Sequence, residues 1–303
     1  MKILFLGTGA FGVPALEALH GSSHELLGIV TGADKPQGRS QQVQANPIKS
    51  WALEKQVPIF EFSPELKKLN VDVWVVVAFG VLLPKDMLAA PKVCALNIHA
   101  SLLPRWRGAS PIQSSLLNGD EESGVTIMRL VEKLDAGDIL VQKKVSIVEE
   151  DYFLDLEKKL MESSGSLLIE ALELLEKNKA AFKPQDEKVA TLCRKISKKD
   201  GHVDWNDSAE NLRNRLRAFQ KWPGMHSFYE GKRIIWHRMD LASDSRAAGA
   251  RPGQILEASG GKIVVAAKNS ALWVRTLQLE GRKVLSAEEF LKGFRLEASQ
   301  ILE

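Results

Sequence analysis

Only two cysteines occur among the 303 residues, Cys94 and Cys193. Neither belongs to a C-x-x-C or a Cys/His cluster, so a disulfide scaffold is excluded and no zinc site is suggested. Cys94 falls in an apolar segment and reads as a buried free thiol, which suits a reducing compartment. Long hydrophobic runs are missing as well. Nothing approaches the roughly 18 residues needed to cross a bilayer. The opening MKILFLG is apolar but short. It runs into Gly7 and Gly9 without a small-residue cleavage site, so it reads as a buried strand and not as a signal peptide. A cytoplasmic location is the expectation. Internal repeats and low-complexity segments are also lacking, which removes repeat architectures from consideration.

What is present is the balance of a soluble globular protein, with 45% hydrophobic and 26% charged residues. The length suits two domains or one large one. Short apolar runs alternate with helical patterns through the first half. Strands are predicted at Lys2–Gly7, Glu25–Thr31, Asp72–Gly80, Cys94–Ala100, Gly124–Leu130 and Ile139–Ile147. Helices are predicted at Val13–His20, Asn46–Lys55, Ala109–Leu117 and Asp151–Asn178. Asn46 and Asp151 stand as N-caps, and Pro47 takes the first helical position. The segment DVWVVVAFG is apolar almost throughout, as in a parallel sheet covered on both faces. This alternation predicts an α/β domain with a doubly wound, mostly parallel sheet over residues 1–182. Residues 183–205 are polar and basic and read as a linker. Residues 206–303 hold a helix at Asn206–Phe219, then strands at Gly224–Asp240, Gln254–Ala258, Ile263–Ala267 and Ala271–Leu279. A capping-box helix at Ser286–Phe294 follows, and the whole reads as a small β-rich domain.

Net charge is only +3, yet its distribution is uneven. Between Lys183 and Arg238 stand 13 Lys or Arg against 7 Asp or Glu, a local +6 that leaves −3 for the rest. Such a block fits a polyanionic partner, and equally a solvated linker and helix face. Lys195, Lys198 and Lys199 lie beside the linker. Arg213, Arg215 and Arg217 ride the helix, where 213 and 217 share a face. Trp222 offers a stacking platform, although a domain-interface core position suits it better.

Gly7-Thr8-Gly9-Ala10-Phe11-Gly12 matches the G-x-G-x-x-G of dinucleotide-binding proteins, in the right place between a strand and a helix. On that motif alone the chain is a nicotinamide-dependent oxidoreductase. The acidic residue that should close the second strand is displaced, because Asp34 stands in the loop Asp34-Lys35-Pro36. The glycines equally serve a tight strand–helix turn.

A second constellation carries more chemistry. Asn97 and His99 lie two apart at the end of a strand, so both side chains face one way. Ligands of open α/β sheets bind at those carboxyl ends. A histidine beside an amide there can act as a base with an oxyanion donor, or be a hydrogen-bonded core histidine with an Asn capping a turn. Leu134-Asp135-Ala136-Gly137-Asp138 puts two carboxylates in a tight turn. An Asp from it could hold His99 in one tautomer and favour its charged form.

The full run N-I-H-x-S-L-L-P-x-x-R-G, with the Asp of L-D-x-G-D-I standing 36 residues after the His, resembles the folate-dependent formyltransferases. The likeness continues in Asp34-Lys35-Pro36-Gln37-Gly38-Arg39, Phe79-Gly80, Leu83-Pro84 and Asp200–Trp205. It extends through Arg217-Ala218-Phe219, Trp222-Pro223-Gly224 and Leu285–Leu291. These stretches are similar to family members whose acceptor is methionyl-tRNA. The resemblance implies a Rossmann-like catalytic domain followed by a small OB-like barrel. It implies Asn97, His99 and Asp135 as the catalytic trio, and Ser101, Leu102, Leu103 and Pro104 as the lining of a pterin site. Arg39, in the loop 34–47, would reach the acceptor stem of initiator methionyl-tRNA, with the OB-like domain and the basic block binding the same tRNA. The cosubstrate would be 10-formyltetrahydrofolate, with no metal. A monomer is expected, and a formyltransferase acting on another amine, such as an amino-sugar nucleotide, is the nearest alternative. The loop continues Ser40-Gln41-Gln42-Val43-Gln44, less basic than is usual in the family, which implies either weaker phosphate binding or heavier reliance on Arg39.

Overall fold

Val73–Val77, the sequence VWVVV, is buried along its entire length, as its unbroken apolar run requires of a strand covered on both faces. A computed structural model of the chain describes residues 1–37 and 42–303. The described residues form two units. The first comprises Met1–Pro111, Glu122–Ile147 and Glu157–Cys193; the second comprises Ile112–Glu121, Val148–Leu156 and Arg194–Glu303.

The first unit is built on seven strands: β1 (Lys2–Gly7), β2 (Glu25–Val30), β3 (Ile59–Phe60), β4 (Val73–Val77), β5 (Cys94–His99), β6 (Glu122–Arg129) and β7 (Ile139–Ser146). Their order is β7-β6-β5-β4-β1-β2-β3. The five from β3 to β5 run parallel, and β6 and β7 form an antiparallel hairpin on one edge. Chain order reverses between β1 and β4, the switch point at which an open α/β sheet leaves a crevice beyond its strand ends. Helices α1 (Val13–His20) and α2 (Pro47–Glu54) follow the periodic segments; α3 (Pro111–Leu117) falls in the second unit after its first residue, and α4 (Phe153–Glu176) falls in the first unit from Glu157 onward. Asn46 caps α2, accepting from the Lys49 amide at 3.0 Å. One face of the sheet buries Leu4, Leu6, Val30, Trp74 and Val76 in a single cluster. Asp151 accepts from the Val148 amide at 2.8 Å, just before α4 begins.

Residues 183–193, the first half of the segment that reads as a linker, fall in the first unit. Lys183 exchanges two backbone hydrogen bonds of 2.8 Å with Ile139. Leu192–Cys193 pairs in parallel with Arg107–Gly108. Polar composition hid this, because backbone pairing makes no demand on side-chain polarity.

In the second unit, helix α5 (Ala209–Ala218) packs on a sheet of β8 (Met225–Tyr229), β9 (Lys232–Ala242), β10 (Ile255–Ser259), β11 (Lys262–Ala267) and β12 (Ser270–Leu279). The order is β8-β9-β12-β11-β10, and β13 (Val284–Ser286) adds to β12. The single strand expected at Gly224–Asp240 is a hairpin, turned at Glu230-Gly231 where both residues have positive φ. Residues 299–303 join the two ends of this sheet. Ser299 donates to Ile255, Ile255 to Gln300 and Leu302 to Gly253, while Glu303 and Phe228 exchange two backbone bonds of 2.8 and 2.7 Å. The tail thereby closes the sheet into a barrel, and Leu302 is buried beneath it. Ser286 and Glu289 form the expected capping box ahead of helix α6 (Ala287–Gly293). Among the described residues no helix is long and apolar enough to cross a membrane.

Candidate active site

The strand β5 runs between β4 and β6, which sets Asn97 beside Val76 on one side and Met128 on the other. Its last residue, His99, is only 6% exposed. The ring Nε2 lies 2.9 Å from the Trp106 carbonyl oxygen. A carbonyl only accepts, so Nε2 carries the proton. The other nitrogen, Nδ1, lies 3.7 Å from Asp135 Oδ2, close enough for an ion pair but beyond hydrogen-bond distance. Sequence reasoning gave the tautomer to Asp135; the structure gives it to Trp106. That residue holds a left-handed backbone, φ +62°, which directs its carbonyl at the ring.

Asp135 is also left-handed, with φ +47°, and its side chain is 10% exposed. Its Oδ2 accepts from the Gly108 amide at 2.8 Å. Gly108 has φ +122°, and a Cβ there would lie 2.3 Å from the Cys193 carbonyl oxygen, so only glycine fits. Gly137 is equally constrained, since a Cβ on it would come within 1.8 Å of the Arg129 carbonyl oxygen. The turn 134–138 therefore lies hard against the end of β6. Asp138 contributes its carbonyl, which accepts from the Arg129 amide at 2.9 Å.

Asn97 is half-buried, and its side-chain amide makes no hydrogen bond among the described residues. The trio is thus brought together, with the amide left available and the imidazole and carboxylate held by neighbours.

The segment Ser101–Pro104 is fixed from inside. Thr126 Oγ1 donates to the Ser101 carbonyl at 2.6 Å and accepts from the Leu103 amide at 3.2 Å. Gln142 Nε2 donates to the Leu103 carbonyl at 2.8 Å, and the Pro104 carbonyl accepts from the Thr191 amide at 3.1 Å. Ser101 Oγ donates to the Arg105 carbonyl at 2.6 Å. Ser101 and Leu103 are buried and Leu102 is half-buried. These contacts hold the loop in shape.

Two of the three motif glycines, Gly7 and Gly12, have a packing explanation, whereas a Cβ on Gly9 would meet only ordinary contact at 3.8 Å. A Cβ on Gly7 would lie 2.9 Å from the Phe5 ring, and one on Gly12 would lie 3.2 Å from it. Asp34, four residues past the end of β2, pairs with Lys49 at 2.6 Å.

The basic candidates divide. Arg39 lies outside the described residues. Lys195, Lys198 and Lys199 are exposed and form no ion pair among the described residues. The arginines of α5 turn to the protein. Arg217 is buried and donates to the Asp151 and Val148 carbonyls at 2.7 and 2.8 Å; burial pulls its basicity below the usual arginine value. Arg215 donates to the Asp200 and His202 carbonyls, and Arg213 pairs with Glu149 at 2.6 Å. They are structural residues of the second unit and not a phosphate-facing row. Trp222, better suited by sequence to a core position, is 48% exposed.

Residues 1–172 match the family model described as formyl transferase, and residues 195–295 match the formyl transferase C-terminal domain. The chain belongs to the formyl transferase family. Curated family members align along its entire length. The methionyl-tRNA formyltransferase of Sulfurihydrogenibium sp. is 36% identical, covering 100% of both chains. That of Coxiella burnetii is 39% identical over 97% of this chain and 95% of its own. Solved structures agree in fold. The N-formyltransferase from Helicobacter canadensis, crystallised with folinic acid and dTDP-3-aminofucose, has a TM-score of 0.69 at 16% identity, covering 90% of this chain and 98% of its own. HypX from Aquifex aeolicus in complex with tetrahydrofolic acid has a TM-score of 0.61 at 18% identity, covering 100% of this chain and 50% of its own.

Within this family member, Trp106, Thr191 and Cys193 are site neighbours that sequence reasoning missed. Thr191 Oγ1 accepts from the Trp106 amide at 2.9 Å, and Cys193 Sγ lies 3.4 Å from the Trp106 carbonyl that His99 also uses. No local pattern marks Thr191 and Cys193, which stand 85 and 87 residues from Trp106, while Trp106 lies only seven residues after His99.

Proposed function

We propose that this chain transfers the formyl group of 10-formyltetrahydrofolate to the α-amino group of methionine on initiator methionyl-tRNA, and so supports translation initiation. The full-length likeness to curated methionyl-tRNA formyltransferases at 36–39% identity carries the reading. A formyltransferase of amino sugars such as the Helicobacter canadensis enzyme shares the fold at only 16% identity. Residues 1–182 would be the catalytic domain, and residues 206–303 the OB-like tRNA-binding domain. The chain would act as a cytoplasmic monomer.

The chemistry is acyl transfer. The neutral amine attacks the formyl carbon, a C–N bond forms, and the bond from that carbon to the folate nitrogen breaks. The amine gives up one proton and the folate nitrogen takes one, so no external oxidant or reductant enters. Negative charge gathers on the formyl oxygen between the two events. The Asn97 amide, uncommitted within the protein, is the donor for it, a role typically worth about 3–4 kcal/mol. With Nε2 tied to Trp106, the Nδ1 of His99 is the nitrogen left for proton transfer. Asp135 faces that nitrogen and stabilises it when protonated. The pair then relays the proton from the amine to folate. Ser101, Leu102, Leu103 and Pro104 would form the rigid surface for the pterin. Arg39 and the exposed Lys195, Lys198 and Lys199 would meet phosphates of the tRNA.

Formyl transfer from 10-formyltetrahydrofolate, measured in one assay on initiator and elongator methionyl-tRNA at physiological salt, tests the reading. Rapid transfer to the initiator and little to the elongator is expected. Folate turnover without transfer to either tRNA would overturn the acceptor and point to amino-sugar nucleotides or hydrolysis.

A further inference from the structure

Gln185 is buried in the first unit, 50 residues from the turn it touches. Its Nε2 donates to the Asp135 carbonyl at 2.9 Å and to the Gly137 carbonyl at 2.7 Å. Its Oε1 accepts from Arg107 Nε at 2.9 Å. Every strong hydrogen-bonding capacity of the side chain on the donor side is thereby used, and one acceptor position is filled. Arg107, itself 2% exposed, continues through Nη2 to Glu187 Oε1 at 3.0 Å. Glu187 also receives Lys133 at 2.8 Å. Hydrogen bonds from Arg107 first and Lys133 second hold its carboxyl down at about 2, so it stays charged.

The geometry is that of a clamp. The two carbonyls held by Gln185 flank Ala136 in a turn whose Asp135 is left-handed, a conformation that L-residues disfavour. Arg107, the third group on Gln185, immediately precedes Gly108, whose amide binds the Asp135 carboxylate. One side chain therefore fixes the backbone carrying the carboxylate and also the strand whose amide receives that carboxylate. Neither contact reaches His99 directly.

We propose that Gln185 is a positioning residue for formyl transfer, setting the distance between Asp135 and His99 through the 135–137 turn. The inference rests on the assignment of Asp135 and His99 to the proton relay. Gln185→Met removes both donors and the acceptor at similar length. Gln185→Glu keeps the shape and the acceptor for Arg107, but sets a carboxylate against two carbonyls unless it is protonated. The protonated form restores one donor.

The test measures kcat and KM for Gln185→Met, Gln185→Glu, Asp135→Asn and the Gln185→Met/Asp135→Asn double variant on intact enzyme, with near-wild-type melting temperature as the folding control. Gln185→Met is expected to lower kcat ten- to a hundredfold with KM for folate within threefold. In the Asp135→Asn background the same change should lower kcat less than twofold further, because Gln185 acts through that residue. Gln185→Glu, which keeps the acceptor for Arg107 but loses both donors, should lower kcat at least tenfold. A Gln185→Met enzyme within twofold of wild type, a full further loss in the double variant, or a Gln185→Glu enzyme within twofold of wild type would each overturn the proposal. Near-wild-type turnover by Asp135→Asn would instead overturn the relay assignment on which it rests.

Discussion

His99 donates its Nε2 proton to the Trp106 carbonyl at 2.9 Å, while Asp135 stands 3.7 Å from Nδ1 on the other side of the ring. The backbone therefore sets the tautomer, and the carboxylate is reserved for the charged state. On the proposed mechanism this would divide the work of the trio, with Asn97 donating to the oxygen and His99 with Asp135 moving the proton.

The free amide of Asn97 makes the first expectation specific. Asn97→Ala should lower kcat by about 10²–10³, the usual effect of losing one oxyanion donor, with tRNA affinity unchanged. Single-turnover formylation and filter binding on the same preparation separate the two. Turnover within threefold of wild type would remove Asn97 from the role.

Gly137→Ala tests the turn. A Cβ has 1.8 Å to the Arg129 carbonyl oxygen, so the backbone must shift. The substitution should destabilise the first unit by about 1–3 kcal/mol, the usual range for overpacking, and reduce kcat more than tenfold. Urea denaturation and steady-state rates check both. A fully active, fully stable variant would mean that the turn does not hold Asp135 in place.

Exposed Lys195, Lys198 and Lys199 form no ion pairs among the described residues, unlike the arginines of α5. Replacing all three with alanine should weaken tRNA binding and flatten its salt dependence. Every phosphate left without its lysine reduces the slope of log K against log salt by about 0.7–0.9. An unchanged slope would place the RNA elsewhere.

Removing residues 299–303 should open the barrel. Five backbone hydrogen bonds to Phe228, Gly253 and Ile255 disappear, and the buried Leu302 goes with them. Losing Leu302 alone is worth about 1.5–3 kcal/mol, and two sheet edges become unpaired. Hydrogen exchange should accelerate at the Phe228 and Ile255 amides. Unchanged protection there would show that the sheet does not depend on the tail.

His226 gives the second unit a pH dependence. Burial first, then the Arg233 guanidinium, holds its ring below the ordinary 6.5; His202 and Lys198 act the same way and Glu280 opposes them. Its Nδ1 accepts from Arg233 at 3.1 Å, so the folded state favours the neutral ring. The unfolded chain takes up this proton first as pH falls below 6.5. Stability from this group is present above that value and is lost toward the lower folded value. Denaturation midpoints should drop between pH 7 and 5, and drop less in His226→Gln. Equal drops would assign the effect to other groups.

Sequence alone determined the α/β unit, because periodicity two, periodicity 3.6 and the apolar run at Val73–Val77 are local properties of the chain. It also marked Asn97 and His99 at a strand end and two carboxylates in a Gly turn, between which the family resemblance chose Asp135. It missed the hairpin at Glu230-Gly231, where a continuous β pattern conceals the break. Only the tertiary structure decided that Trp106 sets the tautomer, that Arg213, Arg215 and Arg217 face the protein, and that Gln185 and Cys193 belong beside the site. The Trp106 contact spans only seven residues but depends on a left-handed backbone that spacing does not show. The others depend on contacts between residues farther apart in the chain, and a polar residue that finds a partner looks in sequence like one that faces water.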